Sequence, residues 1–128
     1  MDNQSNMRAP AKTFQDLVVW QKAHDATLLV YKLTREFPSD EKYGLTNQFR
    51  RASVSISANI AEGFIKKSDL EKIRFLNISQ GSLEECKYYI ILAKDLDYGE
   101  DKNLNDLYVE VGKMLNAFIT KLKTNTKS

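Results

Sequence analysis

Residues 48–63 read QFRRASVSISANIAEG, and this stretch at the centre of the chain decides the fold that the sequence predicts. Apolar residues recur three and four positions apart, which places them in one stripe along a helix. The stripe consists of Leu45, Phe49, Ala52, Ile56 and Ile60. The positions around it are mostly Ser, Ala and Gly, and small side chains let a neighbouring helix pack closely. The stretch therefore predicts a tightly packed helix of a bundle.

Length and composition indicate one domain with a real core. The chain has 128 residues, of which 42% are hydrophobic and 28% are charged, as in ordinary globular domains. No apolar run approaches the roughly 20 residues that cross a bilayer, and the polar N-terminus lacks the apolar middle of a signal peptide. The single cysteine, Cys86, cannot form an internal disulfide, which fits a reducing compartment. We therefore expect a cytoplasmic protein with no membrane segment.

Start and stop signals predict the first two helices. The first helix begins near Phe14, with Asp16 as a candidate N-cap. It ends at Phe37-Pro38, because the residue before a proline is pushed out of the helical region. The second helix has Thr46 as a candidate N-cap and Gly63 as a candidate left-handed residue at its C-terminal end.

Similar signals predict two further helices. Ser68, followed by Glu71, forms a capping-box pattern at the start of the third helix, which runs towards Leu96 and is apolar nearly all round. Asp97-Tyr98-Gly99 is a turn signal, and Asp101 is a candidate cap of the last helix.

Four helices with short links predict an all-α protein, an antiparallel up-down-up-down four-helix bundle. We expect a flexible N-terminal segment at residues 1–13, the bundle at 14–123 and a flexible tail at 124–128.

Candidate catalytic and metal-binding residues are few. His24 is the only histidine, whereas a di-iron bundle needs two Glu-x-x-His pairs and a zinc site needs three or four ligands. His24 and Asp25 are neighbours, and neighbours on a helix point about 100° apart, so they cannot support each other in a catalytic triad. We interpret His24 as a surface or packing residue and Cys86 as a small core residue. The sequence predicts no metal, no cofactor and no enzymatic activity.

Charge is separated along the chain although the net charge is only +2. Residues 45–83 hold six basic and three acidic residues, residues 84–110 hold three basic and eight acidic ones, and residues 111–128 hold four lysines and no acid. Such segregation can steer an anionic partner to one end, or it can reflect solvated faces. Glu84 and Glu85 leave two alternatives open: one of them turns inward to pair with an arginine of the second helix, or both lie on the wet edge.

Five cations gather around the second helix and the start of the third. They are Arg50, Arg51, Lys66, Lys67 and Arg74. Arg50 and Arg51 fall between the apolar positions, so we expect both to reach outward. Phosphate binding needs cations but no fixed spacing, which makes these five the candidate nucleic-acid-binding residues, with a solvated face as the alternative.

Four motifs in this order resemble a known bacterial family of four-helix bundles. They are DLVVWQKAHD at 16–25, Phe37-Pro38 with Tyr43-Gly44-Leu45, QFRRASVSISANIAEG at 48–63, and RFLNISQGSLEE at 74–85. Family members are encoded in intervening sequences of 23S rRNA genes and are often labelled S23 ribosomal proteins. The family also includes the accessory variability protein of diversity-generating retroelements. The resemblance covers Phe14 to about Leu96.

The resemblance implies a bundle that assembles into a homopentameric ring or barrel and binds nucleic acid through basic outer surfaces. For the retroelement member it also implies a reverse transcriptase as partner. By position, Arg50 and Arg51 match the family's paired basic residues, and Lys66 and Lys67 match its basic link. We assign the NIAEG motif, which ends at Gly63, to packing and helix termination.

Two functions follow as hypotheses. The first is a non-enzymatic accessory protein that binds RNA or DNA as a homo-oligomer, a pentamer if the resemblance holds. The second is a protein–protein interaction scaffold that uses the apolar third helix and the acidic segment 84–110.

Overall fold

Four helices make up most of residues 10–127, the part of the chain that the computed structural model describes. They are α1 (Val18–Thr34), α2 (Leu45–Ile65), α3 (Asp69–Asp95) and α4 (Lys102–Lys127), with 3₁₀ turns at Phe14–Asp16 and Ser39–Glu41. Each helix packs against two others, α1 and α3 both lying between α2 and α4. These described residues contain no strand. The predicted all-α four-helix bundle is confirmed.

The apolar stripe of α2 lies at the centre of the core, as predicted. Phe49, Ile56 and Ile60 are completely or almost completely buried. The other three helices contribute the large side chains that surround them, namely Val30, Leu76, Leu83, Leu104, Leu115 and Ile119. Burial of this apolar surface supplies the main driving force for folding.

A chain of buried polar groups crosses this core. The Thr27 hydroxyl lies 2.9 Å from Ser53 Oγ, which lies 3.0 Å from the Tyr108 hydroxyl. The Cys86 thiol of α3 lies beside Tyr108, so this series of polar groups reaches all four helices. Burial raises the pKa of Tyr108, and it raises the pKa of the Cys86 thiol to about 12. Both groups are therefore neutral, and Cys86 is a core residue as predicted.

The start of α1 differs from the prediction. Leu17, and not Asp16, is the N-cap residue. The Asp16 carboxylate instead points back along the chain and accepts hydrogen bonds from the backbone N–H groups of Lys12 (2.9 Å) and Thr13 (3.1 Å). These two bonds, Thr13 first, lower the pKa of Asp16. Because the chain turns through Phe14–Asp16 before the helix begins, the acid caps that turn.

The N-terminus of α2 is also stabilised by residues other than the predicted one. Gly44 is the N-cap, and Thr46 is buried one position inside the helix, so its predicted role is wrong. Glu41 accepts a hydrogen bond from the backbone N–H of Leu45 (3.0 Å) and another from the Tyr98 hydroxyl (2.8 Å). These bonds lower the pKa of Glu41, the Leu45 bond having the larger effect. The cap thus reaches α2 from the preceding turn.

Gly63 does not end α2. The helix continues to Ile65, and among the described glycines only Gly99 has a positive φ. A Cβ at Gly63 would lie 3.1 Å from Phe75 Cβ and 3.5 Å from the Lys72 carbonyl oxygen. Glycine lets α3 pass close to α2, since a methyl group here would make a tighter contact than Cβ atoms usually make. The predicted left-handed cap is therefore wrong.

The caps of the last two helices follow the sequence. Ser68 Oγ accepts a hydrogen bond from Glu71 N (3.1 Å), and Asp101 Oδ1 accepts one from Leu104 N (3.0 Å). The turn between the helices has positive φ at Asp97 (60°) and Gly99 (132°). Both predicted caps and the predicted turn are confirmed.

Helix α4 continues beyond the predicted end at Lys123. The Thr124 and Thr126 hydroxyls donate hydrogen bonds to the carbonyl oxygens four residues earlier, at Thr120 and Leu122. The helix therefore includes most of the predicted tail, and Ser128 lies outside the described residues. At the other end, residues 1–9 of the predicted N-terminal segment also lie outside them. None of the described helices combines the length and apolarity that a membrane crossing requires.

Candidate nucleic-acid interface

The five candidate cations fall into two groups along α2. Arg50 and Arg51 lie in its second turn, whereas Lys66 and Lys67 follow its last residue and Arg74 lies in the second turn of the antiparallel α3. Arg51 and Lys66 are 15 positions apart, which corresponds to about 22 Å along the helix axis. The structure therefore places the predicted residues near the two ends of α2 and does not gather them into a single patch.

Arg50 is turned towards α1, contrary to the predicted outward orientation. Its Nε donates a hydrogen bond to Thr34 Oγ1 (2.8 Å), and a terminal nitrogen donates to the Tyr31 carbonyl oxygen (3.3 Å). The guanidinium carbon lies 4.5 Å from the centroid of the Tyr31 ring. A cation at the C-terminal end of α1 is favoured by the helix dipole and by the ring. Arg50 thus ties α2 to α1.

We call Lys66, Lys67 and Arg74 the basic end, and two of these three cations lie over the ring of Phe75. The Lys66 ammonium lies 5.0 Å and the Arg74 guanidinium carbon 5.8 Å from the centroid of the Phe75 ring. Lys66 also lies 3.8 Å from the Glu62 carboxylate. Lys67 and Arg74 are exposed, and neither forms a salt bridge with a side chain that the structure describes. Two unneutralised cations therefore face solvent here.

Lys72 lies beside the basic end but has a structural role. Its Nζ donates hydrogen bonds to the carbonyl oxygens of Phe64 (2.7 Å) and Gly63 (3.4 Å) in the last turn of α2, where carbonyl groups lack intrahelical partners. The Gly63 oxygen also accepts a hydrogen bond from the backbone N–H of Lys66 (3.2 Å). The ammonium is thereby committed to capping a helix that precedes it in the chain. No local sequence pattern marks such a cap, because donor and acceptors belong to different helices.

A polar groove with a volume of about 450 Å³ lies between α2 and α3. We call it the polar groove, and its lining includes Tyr43, Asn47, Gln48, Arg51, Ser55, Ser82, Glu85 and Tyr89. A hydrogen bond of 2.8 Å joins the Ser55 and Ser82 hydroxyls at its floor. On its wall the Tyr89 hydroxyl donates to Gln48 Oε1 (3.1 Å). Among the residues that line the groove, only Arg51 was predicted to bind nucleic acid. The others come from the turn before α2, from α2 and from α3, so no single stretch of sequence reveals the groove.

Glu84 and Glu85 both lie on the wet edge of α3. Glu84 forms a salt bridge with Lys87 (3.2 Å), and Glu85 lines the polar groove. Neither forms a salt bridge with Arg50 or Arg51. The open alternative is thereby resolved in favour of exposure.

His24 is exposed on α1 and stacks on Trp20, with ring centroids 5.0 Å apart and an interplanar angle of 6°. It is a surface packing residue, as predicted. Over residues 10–127, no group of three or more His, Cys, Asp or Glu side chains is placed to hold a metal ion.

Among residues 10–127 the bundle leaves apolar surfaces uncovered, and two of them lie on different helices. The apolar groove lies between α1 and α2 and includes Phe14, Trp20, His24, Val54, Ala58 and Ala61. Ser57 also lines it, and its buried hydroxyl has no hydrogen-bond partner among the described residues. The second surface, the apolar edge, consists of Tyr88 and Ile91, which lie three positions apart on α3 and are both more than half exposed. The wide apolar arc predicted for the third helix is thus only partly buried.

The solved structure of a protein with unknown function from the S23 ribosomal protein family of Bacteroides thetaiotaomicron is similar to this chain. The two share 25% identity and a TM-score of 0.70, over 80% of this chain and 98% of the other. No curated protein matches the sequence. Residues 15–117 match the family described as 23S rRNA-intervening sequence protein. Since this match spans most of the bundle, from the turn before α1 to the middle of α4, the chain belongs to the 23S rRNA-intervening sequence protein family.

Proposed function

We propose that this protein is a cytoplasmic, non-enzymatic accessory protein that binds RNA or DNA as a homo-oligomer, with the pentamer as the expected stoichiometry. The observation that carries the proposal is the basic end, where Lys67 and Arg74 are exposed and form no salt bridge with a described side chain. Cations of this kind bind phosphates and release counterions, which supplies most of the affinity for nucleic acid.

The phosphate contacts come from four of the five candidate cations. Lys66, Lys67 and Arg74 form one contact region, and Arg51, exposed at the polar groove, forms a second. Arg50 contributes indirectly, because its N–H groups hold α1 and α2 together. One subunit offers few contacts, so useful affinity requires several copies in one assembly, where linked contacts raise the effective concentration.

The two apolar surfaces support such an assembly. A ring of more than two identical subunits joins two different surfaces at each interface, one from each neighbour. The apolar groove on α1 and α2 and the apolar edge on α3 are two such surfaces, and they lie on different helices. The alanines in the groove leave room for a helix of the next subunit.

The family description supports a nucleic-acid partner, because it ties the gene to 23S rRNA. If the chain instead serves a retroelement, the reverse transcriptase that the resemblance implies would be a second partner. The oligomer would then deliver a nucleic acid that both proteins bind.

The test is a titration into labelled structured RNA and duplex DNA at several salt concentrations, followed by fluorescence anisotropy. For the wild-type protein we expect log K to fall with log salt with a slope of about −4 or steeper. In the double variant Lys67→Gln/Arg74→Gln we expect weaker binding at low salt and a slope shallower by about 2 or more, since each lost phosphate contact removes about one unit.

The matched control is Lys32→Gln/Arg35→Gln. These exposed cations lie at the end of α1 and form no salt bridge with a described side chain, so the control removes the same net charge elsewhere. It should bind nearly as the wild type does. Equal losses in the two double variants, or none in either, would refute the assigned contact region.

A protein-interaction scaffold is the second candidate. The apolar edge favours it, because Tyr88 and Ile91 are more than half exposed within the acidic segment 84–110. This candidate takes precedence if the purified protein binds neither RNA nor DNA near 50 mM salt, where phosphate contacts are strong.

A further inference from the structure

We infer that the polar groove holds an unpaired nucleobase, stacked on Tyr43, so that the protein prefers a single strand to a duplex. The inference rests on the proposed function, because it names the form of nucleic acid that the same face of α2 and α3 binds. Its starting point is a side chain that the fold does not use.

Tyr43 is 84% exposed although its neighbours are structural. Gly44 caps α2 and Leu45 is buried in the core, whereas the Tyr43 ring stands at the rim of the polar groove. The Lys42 ammonium lies 5.4 Å from the centroid of this ring. Exposed aromatic rings beside cations are the platforms on which unpaired bases stack, whatever their sequence. The ring is therefore placed to bind one face of a base.

The groove behind Tyr43 can hydrogen-bond the edge of that base. Gln48 accepts from Tyr89 through Oε1, and its amide nitrogen makes no hydrogen bond to another described residue. Burial raises the pKa of Tyr89, so its hydroxyl remains a donor at neutral pH. Asn47 adds a second exposed amide. Amides pair with bases that present adjacent donors and acceptors, as adenine does.

The charges in the groove favour a nucleotide over a phosphate alone. Arg51 and Glu85 line the same groove without forming a salt bridge. A bare phosphate would gain from Arg51 and be repelled by Glu85. A nucleotide satisfies both, because its phosphate can accept from the guanidinium while an exocyclic amino group of its base donates to the carboxylate.

The two ends of the face set the length of the strand. The basic end lies about 22 Å from Arg51 along α2. With about 3.4 Å between stacked nucleotides, about six of them span this distance. Duplex bases are paired and stacked on each other, so they cannot enter the groove without first unpairing. The geometry therefore assigns the phosphates to the basic end and one base to the polar groove.

The experiment compares two labelled RNA strands of 12 nucleotides, one normal and one abasic throughout, by anisotropy at fixed salt. Both carry the same phosphates. We expect the wild-type protein to bind the normal strand about fivefold or more tightly than the abasic strand, the lower limit for stacking one base. It should also prefer the normal strand to the same sequence in a duplex.

Variants at Tyr43 separate stacking from apolar contact. Tyr43→Leu keeps an apolar side chain without a π face and should lose most of the preference for the normal strand, because only the hydrogen bonds to the edge of the base remain. Tyr43→Trp should keep the preference for the normal strand, and its added fluorescence, measured against the wild-type signal of Trp20, should be quenched on binding. Val109→Ala, a truncation of an exposed side chain on α4, should change neither affinity.

The outcomes distinguish this inference from the proposed function. If the abasic strand binds as tightly as the normal one, or if Tyr43→Leu retains the full wild-type preference, the inference is wrong. The proposed function then stands, provided that Lys67→Gln/Arg74→Gln still weakens binding. If neither strand nor the duplex is bound, both fail.

Discussion

At the scale of single residues, the Tyr108 hydroxyl joins helices through hydrogen bonds inside the core. It is buried with Ser53 Oγ 3.0 Å away, and Ser53 is held in turn by Thr27. Burying a polar group costs free energy unless the group is hydrogen-bonded. Each of these hydroxyl groups therefore depends on the helix that supplies its partner. These hydrogen bonds thus help to fix how α1, α2 and α4 are aligned.

Tyr108→Phe should lower the free energy of unfolding by about 1 kcal/mol, the net contribution of one buried hydrogen bond. The loss stays moderate because Ser53 keeps its bond to Thr27. Urea unfolding followed by circular dichroism measures the difference. Tyr88→Phe, at an exposed tyrosine, is the control and should change the stability by less than about 0.5 kcal/mol. Equal stability of Tyr108→Phe and the wild type would show that the hydroxyl chain contributes nothing.

At the scale of elements, small residues allow α2 and α3 to pack closely against each other. Gly63 faces Phe75 across the interface, and Ser79 Oγ donates to the Ile56 carbonyl oxygen (2.8 Å). Both contacts need the two backbones to be near each other. The seam matters for function because the polar groove and the basic end lie along it.

Two glycine-to-alanine substitutions should therefore have opposite effects. Gly81→Ala meets nothing within 4 Å and removes a flexible residue from the middle of α3, so it should raise the free energy of unfolding by about 0.5 to 1 kcal/mol. In Gly63→Ala the new methyl would lie 3.1 Å from Phe75 Cβ, an atom fixed to the α3 backbone, so the helices must separate. The variant should be less stable than the wild type. Thermal unfolding distinguishes them, and equal stabilisation by both changes would contradict the close approach.

At the scale of the whole molecule, one bundle presents different chemistry on different sides. The apolar groove lies on α1 and α2, the apolar edge lies on α3, and the cations lie along the seam of α2 and α3. In a ring built through the two apolar surfaces, each copy adds one basic end and one polar groove. Repetition would thus turn a weak contact into a strong one.

The two apolar surfaces predict complementation between variants. Val54→Asp in the apolar groove and Ile91→Asp on the apolar edge should each give a species near the monomer mass of 14.7 kDa by light scattering. Mixed together they should form a dimer of twice that mass, because each variant keeps the surface that the other has lost.

Val109→Asp, at an exposed position of α4, is the control and should retain the wild-type mass. Circular dichroism verifies that all three variants are folded. If Val54→Asp and Ile91→Asp both keep the wild-type mass, these surfaces do not join the subunits.

The sequence by itself determined the four helices, the buried stripe of α2 and the caps at Ser68 and Asp101. These features depend on residues within one or two helical turns of each other, so periodicity and local hydrogen bonding reveal them. Only the tertiary structure decided that Arg50 turns towards α1, that Gly63 serves packing, and which residues line the polar groove. In each case the partner lies on another helix, and the sequence pattern of one helix carries no record of which neighbour will lie against it.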